Sequence, residues 1–139
     1  MKLYETKVVT VDWQHRGLVF KGEAPGKAPI ILDGHTKEGP SPVEAFLHAL
    51  ASCTAADVVS ILEKKRVQLE ELRVEIRGDR REEYPRRYVN IVLVWHIVAP
   101  GAAEPAVRQA IDLSLEKYCS VSATLDPAMP VTYELHLQA

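Results

Sequence analysis

The sequence predicts an α+β domain in which short strands precede and follow one long helix. Apolar and polar residues alternate near both ends of the chain, whereas the apolar residues between positions 42 and 62 recur with helical spacing. Strands and helices do not alternate regularly, which argues against a parallel-sheet fold. A chain of 139 residues can bury a hydrophobic core without disulfides, and we expect residues 1–139 to form one domain.

Composition argues against several functional classes. The chain is 47% hydrophobic and 26% charged, as is usual for globular proteins, and its net charge of −2 gives no reason to expect nucleic acid as a partner. No apolar run approaches the roughly 18 residues that span a bilayer. Residues 1–6 lack the apolar region of a signal peptide. We therefore expect a cytoplasmic protein with no membrane partner.

Three short strands are expected ahead of the long helix. Apolar residues alternate with polar ones over residues 9–13, and residues 14–17 have the composition of a tight turn. Residues 18–23 would return as the second strand of a hairpin. Residues 30–32, followed by an Asp-Gly pair, form the third strand.

The long helix carries clear start and stop signals. Ser41 can cap it, Pro42 suits the first helical position, and Glu44 can complete a capping box. Residue 49 and residues 51–56 are small, and the cations of residues 64–66 suit a helix C-terminus. A helix this apolar is expected to be buried, and a second copy of the chain is the simplest cover. The sequence therefore predicts a homodimer.

Two or three strands, a second helix and a final strand follow. Residues 72–76 alternate between apolar and charged, residues 79–87 form a charged connection, and residues 89–98 are apolar on both faces, like a covered central strand. A second helix starts at Pro105, and residues 131–137 alternate as a closing strand. The apolar stripe of the second helix consists of Val107, Ile111, Leu115 and Tyr118.

The two cysteines are the candidate reactive groups. Cys53 lies in the long helix and Cys119 at the far end of the second helix. Hydroxyl groups that could hydrogen-bond a thiolate lie next to them, on Ser52, Thr54 and Ser120. Both cysteines could equally be buried small apolar residues, and the residue pattern leaves the two interpretations open.

Metal sites and cysteine–histidine pairs are not expected. The chain contains no C-x-x-C motif, and its five histidines do not have the spacing of zinc ligands. His48 would lie on a different face of the long helix from Cys53, which argues against a nucleophile–base pair. The histidines are His15, His35, His48, His96 and His136.

Several segments carry a resemblance to a known family. Residues 39–45 (G-P-S-P-V-E-A), 51–55 (A-S-C-T-A) and 57–62 (D-V-V-S-I-L) resemble the signature helix of the OsmC/Ohr family, the osmotically inducible and organic hydroperoxide resistance proteins. Residues 116–121 (E-K-Y-C-S-V) resemble the second cysteine motif of that family. The resemblance extends over essentially the whole chain and is greatest to the OsmC-like branch.

The resemblance implies an OsmC-like fold, an intertwined homodimer and a thiol-dependent peroxidase that reduces organic hydroperoxides in oxidative-stress defence. Cys53 would be the peroxidatic cysteine and Cys119 the resolving cysteine that closes a disulfide. The resemblance implies no metal, haem or flavin cofactor, and an external reductant of the thiol or lipoyl type. Rapid resolution would protect the sulfenic acid from further, irreversible oxidation.

The resemblance also implies that Arg16 activates the thiolate and that Glu44 holds this arginine. An ideal helix turns about 100° per residue, which places Glu44 and Cys53 on opposite faces. Glu44 could therefore contribute only if the helix breaks within residues 49–52, or if it acts on an arginine that reaches round the helix. The rival arginines are Arg80, Arg81, Arg86 and Arg87.

A second function remains open from the sequence alone. The chain could be a ligand-binding or sensing protein that kept the fold, with an apolar cleft at the dimer interface and unreactive cysteines. A fold does not determine a function.

Overall fold

The structure is a computed structural model that describes residues 4–139. Three strands, a long helix, two strands, a helical region and a final strand follow one another, which confirms the α+β prediction. The chain divides into two compact units between Phe46 and Leu47. The expectation that residues 1–6 form no signal peptide falls partly on residues 1–3, which lie outside the described residues.

The N-terminal unit contains a three-stranded antiparallel sheet. The strands are β1 (Thr10–Trp13), β2 (Val19–Glu23) and β3 (Ile30–Asp33), in that spatial order. The turn between β1 and β2 requires a positive φ at two positions, His15 (58°) and Gly17 (48°). Glycine adopts this conformation without the steric cost that other residues meet. β1 and β2 pair antiparallel across this turn, from Thr10 opposite Glu23 to Trp13 opposite Phe20, which confirms the predicted hairpin.

The loop after β3 is organised around Asp33. This buried carboxylate accepts hydrogen bonds from the backbone N–H groups of His35 at 2.8 Å and of Lys37 and Glu38, both at 3.1 Å. The His35 N–H is the largest cause that lowers the pKa of Asp33, with further contributions from Glu38 and Lys37, and burial acts against them. One side chain thus orders the loop that leads to the long helix.

The long helix, α1 (Pro42–Lys64), starts with the predicted capping box. The Ser41 N–H donates to Glu44 Oε1 at 3.0 Å, and the Glu44 N–H donates to Ser41 Oγ at 3.2 Å. The helix continues without a break through residues 49–52. Glu44 therefore cannot approach Cys53 through a break in the helix. It could contribute to the site only by acting on an arginine that reaches round the helix.

Within one chain, α1 is buried along a single stripe. The buried residues are spaced one helical turn apart, while the other positions of the helix are half-buried or exposed. They are Leu50, Thr54, Val58 and Leu62. The apolar surface beside this stripe is what the sequence predicts a second chain would cover.

One feature of α1 bears on the sequence expectation about membranes. Among the described residues, the helix Pro42–Lys64 is long and apolar enough to cross a bilayer by length and composition. Its many alanines raise the average hydropathy without forming a run of large apolar residues. Length and composition alone are weak support for a span, because the core helices of soluble proteins share these features.

The unit after Phe46 contains the second sheet. Its strands are β4 (Glu71–Arg80), β5 (Tyr88–Val98) and β6 (Val131–Gln138), with β5 in the centre. β4 pairs antiparallel with β5, and β6 pairs parallel with it. The predicted central position of residues 89–98 is confirmed. The core combines α1, β5 and the second helix and consists of Val58, Leu62, Leu93, Trp95, Ile97, Ala99, Val107, Ala110 and Ile111.

The second helical region differs from the prediction of one helix that reaches Cys119. α2 (Glu104–Leu113) is followed by a π-helix (Ser114–Tyr118) and by α3 (Ser120–Thr124). The Cys119 N–H donates to the Ser114 carbonyl at 2.8 Å, five residues back. This wider turn takes the following residues off the α2 stripe, and Tyr118, which we expect on the apolar face, is 51% exposed.

Candidate active site

The fold brings the two cysteines together. Cys53 Sγ, Cys119 Sγ and a carboxylate oxygen of Asp57 all lie within 4.8 Å of one another. Both cysteines are free thiols, and they differ in access to solvent. Cys53 is half-buried, whereas Cys119 is 2% exposed. Cys53 is therefore the more open of the two residues, and Cys119 is shielded.

The π-helix determines where the Cys119 sulfur lies. Cys119 ends the wide turn in an extended conformation (φ −72°, ψ 106°) and caps α3, with its Sγ accepting a hydrogen bond from the Ser122 N–H at 3.3 Å. π-helical turns are rare and are frequently found at functional sites. Here the turn directs the thiol towards the middle of α1.

Thr54 links the buried stripe of α1 to the Cys119 sulfur. Its Oγ1 lies 2.9 Å from the Leu50 carbonyl oxygen and 3.6 Å from Cys119 Sγ. A hydroxyl has one proton to donate and also accepts hydrogen bonds. Thr54 can therefore accept from a Cys119 thiol while it donates to Leu50, and it can rotate to donate to a thiolate.

The surroundings of Cys119 favour the protonated thiol. Burial raises the pKa of the Cys119 thiol, and the nearby Cys53 acts in the same direction. The Ser122 N–H and the Thr54 hydroxyl lower this pKa but do not outweigh burial. Cys119 is thus a protected thiol with donors already placed around its sulfur.

Asp57 is the member of the site to which the sequence analysis assigns no role. It lies one turn after Cys53 on α1, so both side chains are on the same face of the helix. The buried Ser114 hydroxyl donates to Asp57 Oδ2 at 2.9 Å. Two thiols and one carboxylate form a donor set that suits a thiophilic divalent cation. The i, i+4 spacing from Cys53 is the sequence signal that points to this residue.

Only one of the three hydroxyl candidates contacts a cysteine sulfur among the described hydrogen bonds. Thr54 approaches Cys119 rather than its sequence neighbour Cys53. Ser52 Oγ donates to the Ala49 carbonyl at 3.3 Å. Cys119 Sγ accepts a hydrogen bond from the backbone N–H of Ser122, and the predicted contact with the Ser120 hydroxyl is not among the described hydrogen bonds.

Arg16 and Glu44 both belong to the N-terminal unit, and each has a partner there. The Arg16 guanidinium forms a bidentate ion pair with Glu38, with Nε 2.8 Å from Oε2 and Nη2 2.6 Å from Oε1. This contact raises the pKa of Arg16 and lowers that of Glu38. Glu44 takes part in the capping box with Ser41. Their predicted roles at the thiolate stay predictions.

The rival arginines hold the connection between β4 and β5 together. Arg80 Nε donates to the Arg86 carbonyl at 2.8 Å, and Arg81 Nε donates to the Pro85 carbonyl at 2.7 Å. Arg86 Nε in turn donates to the Arg81 carbonyl at 3.3 Å. These contacts give the three side chains a structural role in their own loop.

A surface pocket of about 450 Å³ lies beside the cysteine cluster and shares Asp57 with it. Its walls combine apolar side chains with two lysines, and its volume falls within the range of small-molecule sites. The other lining residues are Ser60, Ile61, Lys64, Lys65, Leu113 and Tyr118.

Comparison with known proteins yields a family and close relatives. A family model described as OsmC-like protein matches residues 34–134. Over 130 residues, the chain is 40% identical to Protein YhfA of Escherichia coli (strain K12). This match covers 93% of the chain and 96% of YhfA.

Solved structures share the fold. An OsmC like protein from Mycoplasma pneumoniae superposes with a TM-score of 0.84 at 21% identity, over 97% of this chain and 99% of the other. The organic hydroperoxide resistance protein OhrB of Bacillus subtilis gives a TM-score of 0.63 at 14% identity, over 95% of this chain and 98% of its own. At these identities the likeness concerns the fold alone.

The raised pKa of Cys119 predicts a loss of stability at alkaline pH. A free cysteine titrates near pH 8.5, and a higher pKa in the folded state stabilises the protein fully below that pH. This contribution is lost as the pH rises from there through the folded pKa. We expect the unfolding free energy of the reduced protein, measured by urea denaturation, to fall over this interval.

Replacement Cys119→Ser should remove that part of the pH dependence. Ser120→Ala, which changes a hydroxyl on the exposed neighbour, is the matched control and should keep the slope of the parent. An unchanged alkaline slope in Cys119→Ser would show that the thiol does not titrate as its burial predicts.

Proposed function

Because the chain belongs to the OsmC-like protein family, as its motifs predict, we propose that it is a thiol peroxidase that reduces organic hydroperoxides. Cys53 and Cys119 are its two redox-active residues in this proposal. The observation that carries it is their convergence, because Cys53 Sγ, Cys119 Sγ and an Asp57 oxygen lie within 4.8 Å of one another. Two thiols this close can form a disulfide after modest rotation of their side chains.

The first step assigns the attack to Cys53. Cys53 is the more exposed of the two residues, whereas Cys119 is shielded and burial raises its pKa. The Cys53 thiolate attacks the terminal oxygen of the hydroperoxide, and the O–O bond breaks. The alkoxide takes up a proton and leaves as an alcohol, and Cys53 becomes a sulfenic acid.

The second step closes the disulfide. Cys119 gives up its proton and attacks the Cys53 sulfur, while the hydroxyl of the sulfenic acid leaves and, with that proton, becomes water. The Thr54 hydroxyl and the Ser122 N–H can both donate to the thiolate that forms on Cys119. Their arrangement supports a resolving thiol that is kept protonated until sulfenic acid appears next to it.

The third step needs an external reductant. A dithiol, such as a lipoyl-type dithiol, supplies two electrons and two protons through a mixed disulfide, and it leaves in its own disulfide form. The peroxidase cycle uses sulfur chemistry throughout. Such reductants are maintained in the cytoplasm, where we propose that the protein acts in oxidative-stress defence.

Arg16 is proposed as the cation that favours the attacking thiolate, with Glu44 as a supporting carboxylate. The bidentate contact with Glu38 uses Nε and Nη2 and leaves Nη1 outside it. An arginine fixed by one carboxylate can present a remaining N–H to a second anion. In this proposal Glu38 positions Arg16. The sequence analysis does not identify this role of Glu38.

A homodimer is proposed as the working form. Half-buried apolar positions flank the buried stripe of α1, and apolar side chains in and directly before the N-terminal strands are at least half exposed. A second copy that covers such surfaces would give the intertwined dimer that the family resemblance implies. The exposed side chains are Val9, Val11, Trp13 and Ile30.

The second candidate function is ligand binding, and the pocket beside Asp57 favours it. Ile61 and Leu113 would contact an apolar body, while Lys64 and Lys65 could pair with an acidic group. In that case the cysteines need not react with peroxide. Measurement of peroxide turnover distinguishes the two candidates.

Substitution of the two cysteines should have different effects. Cys53→Ser removes the attacking sulfur, so turnover of cumene hydroperoxide should fall to the uncatalysed rate. Cys119→Ser should reduce about one equivalent of peroxide per chain and then stop, with Cys53 open to further oxidation. Stopped-flow peroxide consumption and intact-protein mass measure both outcomes. Equal residual turnover in the two variants would contradict this division of roles.

Arg16→Ala should slow peroxide reduction at pH 7 by about tenfold or more, because a nearby cation increases the thiolate fraction of a cysteine. Arg16→Lys should recover part of the rate, since it keeps the charge but loses the planar fork. Arg108→Ala is the matched control, because Arg108 contacts Tyr133 and Glu104 at an exposed site. A rate for Arg16→Ala equal to that of the parent would show that Arg16 does not activate Cys53 and has only a structural role in the turn.

Sedimentation velocity at micromolar protein should give the mass of a dimer, because the exposed apolar surface is costly to leave in water. Replacement of an exposed strand residue, Val11→Glu, places a charge on this surface and should weaken the association. The matched change Lys21→Glu, on β2, should not. A folded monomer across this concentration range would rule out the proposed dimer.

A further inference from the structure

Cys53, Asp57 and Cys119 form a donor set that the peroxidase cycle uses only in part. Their ligand atoms lie within 4.8 Å of one another. Cys53 and Asp57 are half-buried, and Cys119 is buried. Tetrahedral zinc sites have metal–sulfur bonds of about 2.3 Å and metal–oxygen bonds of about 2.0–2.2 Å, which places ligand atoms roughly 3–4 Å apart. Small side-chain rotations would bring the three atoms to that spacing.

We propose that the reduced protein binds one zinc-like, thiophilic divalent cation between Cys53, Asp57 and Cys119. Two sulfurs select a soft or borderline cation over magnesium or calcium. Three protein ligands leave a fourth position, and the half-buried side of Cys53 opens this position to water.

The groups around the ligands have the positions of a supporting shell. Ser114 Oγ donates to Asp57 Oδ2 at 2.9 Å, which holds the carboxylate in place beside the two sulfurs. The Ser122 N–H donates to Cys119 Sγ at 3.3 Å, and the Thr54 hydroxyl lies 3.6 Å from the same sulfur. Donors of this kind orient metal ligands and stabilise thiolate charge.

Charge also favours a cation at this position. A divalent cation displaces the protons of the two thiols to solvent as it binds, and its charge offsets the repulsion between the resulting thiolates and the carboxylate at these short distances. The short segments involved are held by α1 and by the π-helix, so the ligands need little reorganisation to meet around one ion.

Metal binding and disulfide formation exclude each other, because both use the same two sulfurs. Formation of the disulfide removes two ligands and should release the cation. The proposed site does not rest on peroxidase activity, since binding is measured on the reduced protein with no peroxide present.

The test is titration of the reduced full-length protein with Zn²⁺, and with Co²⁺ as a spectroscopic probe, under nitrogen. We expect one cation per chain, with thiolate-to-cobalt charge-transfer absorption. Asp57→Asn keeps both thiols and should weaken binding by more than tenfold. Ser114→Ala should weaken it by about 10- to 100-fold through the supporting shell. Asp112→Asn, which alters an exposed carboxylate bound to Tyr133, is the matched control.

Two further variants complete the test. Cys53→Ser should abolish the charge-transfer band at one equivalent of cobalt, and protein oxidised with diamide to the disulfide should bind no cation. Absence of the band in the parent, or Asp57→Asn binding as tightly as the parent, would overturn the proposal. If Asp57→Asn fails to fold by circular dichroism, the Cys53→Ser and Ser114→Ala titrations decide.

Peroxide turnover in the presence of a chelator separates this proposal from the proposed peroxidase. Turnover without cobalt binding would leave the peroxidase standing and remove the metal site. Cobalt binding without peroxide turnover would support the metal site and remove the proposed peroxidase.

Discussion

The contact between the middle of α1 and the 114–119 segment is the constraint on which the site depends. Ser114 is fully buried against α1, its hydroxyl 2.9 Å from Asp57 Oδ2 and 3.4 Å from the Thr54 carbonyl oxygen. Thr54 belongs to the stripe through which α1 is buried, so the packing that builds the core also fixes the helix turn that carries Cys53. The π-helix then brings Cys119 to the same turn. Loss of this contact would separate the two sulfurs.

The electrostatics of this cluster give the two cysteines different roles. Burial raises the pKa of Cys119 and keeps its sulfur protonated, while hydrogen-bond donors stand ready for the thiolate. Asp57 places a carboxylate oxygen within 4.8 Å of both sulfurs, so a thiolate formed there meets a like charge that a cation can balance. An arginine in the peroxidase cycle, or a metal ion in the reduced resting protein, would supply that balance. The two proposals therefore answer the same electrostatic requirement.

Much of this could be predicted from the sequence. The spacing of apolar residues predicted the order of elements, because buried strands and helices each have a regular apolar pattern. Apolar residues on both faces predicted the central position of residues 89–98. The cysteine motifs indicated the family. The cluster itself depends on residues distant in the chain, and no local pattern shows that Ser114 meets Asp57. The π-turn was missed because its apolar residues continue the helical spacing of α2, which extended the predicted helix to Tyr118.

Treatment of the reduced protein with one equivalent of cumene hydroperoxide tests the central claim, that Cys53 and Cys119 act as a redox pair. Intact mass, peptide mapping and quantification of the alcohol measure the outcome. We predict one alcohol per chain, the loss of two hydrogens from the protein, and a Cys53–Cys119 linkage within a single chain. Peroxide consumption no faster than in Cys53→Ser, or alcohol formation without this linkage, would contradict the claim.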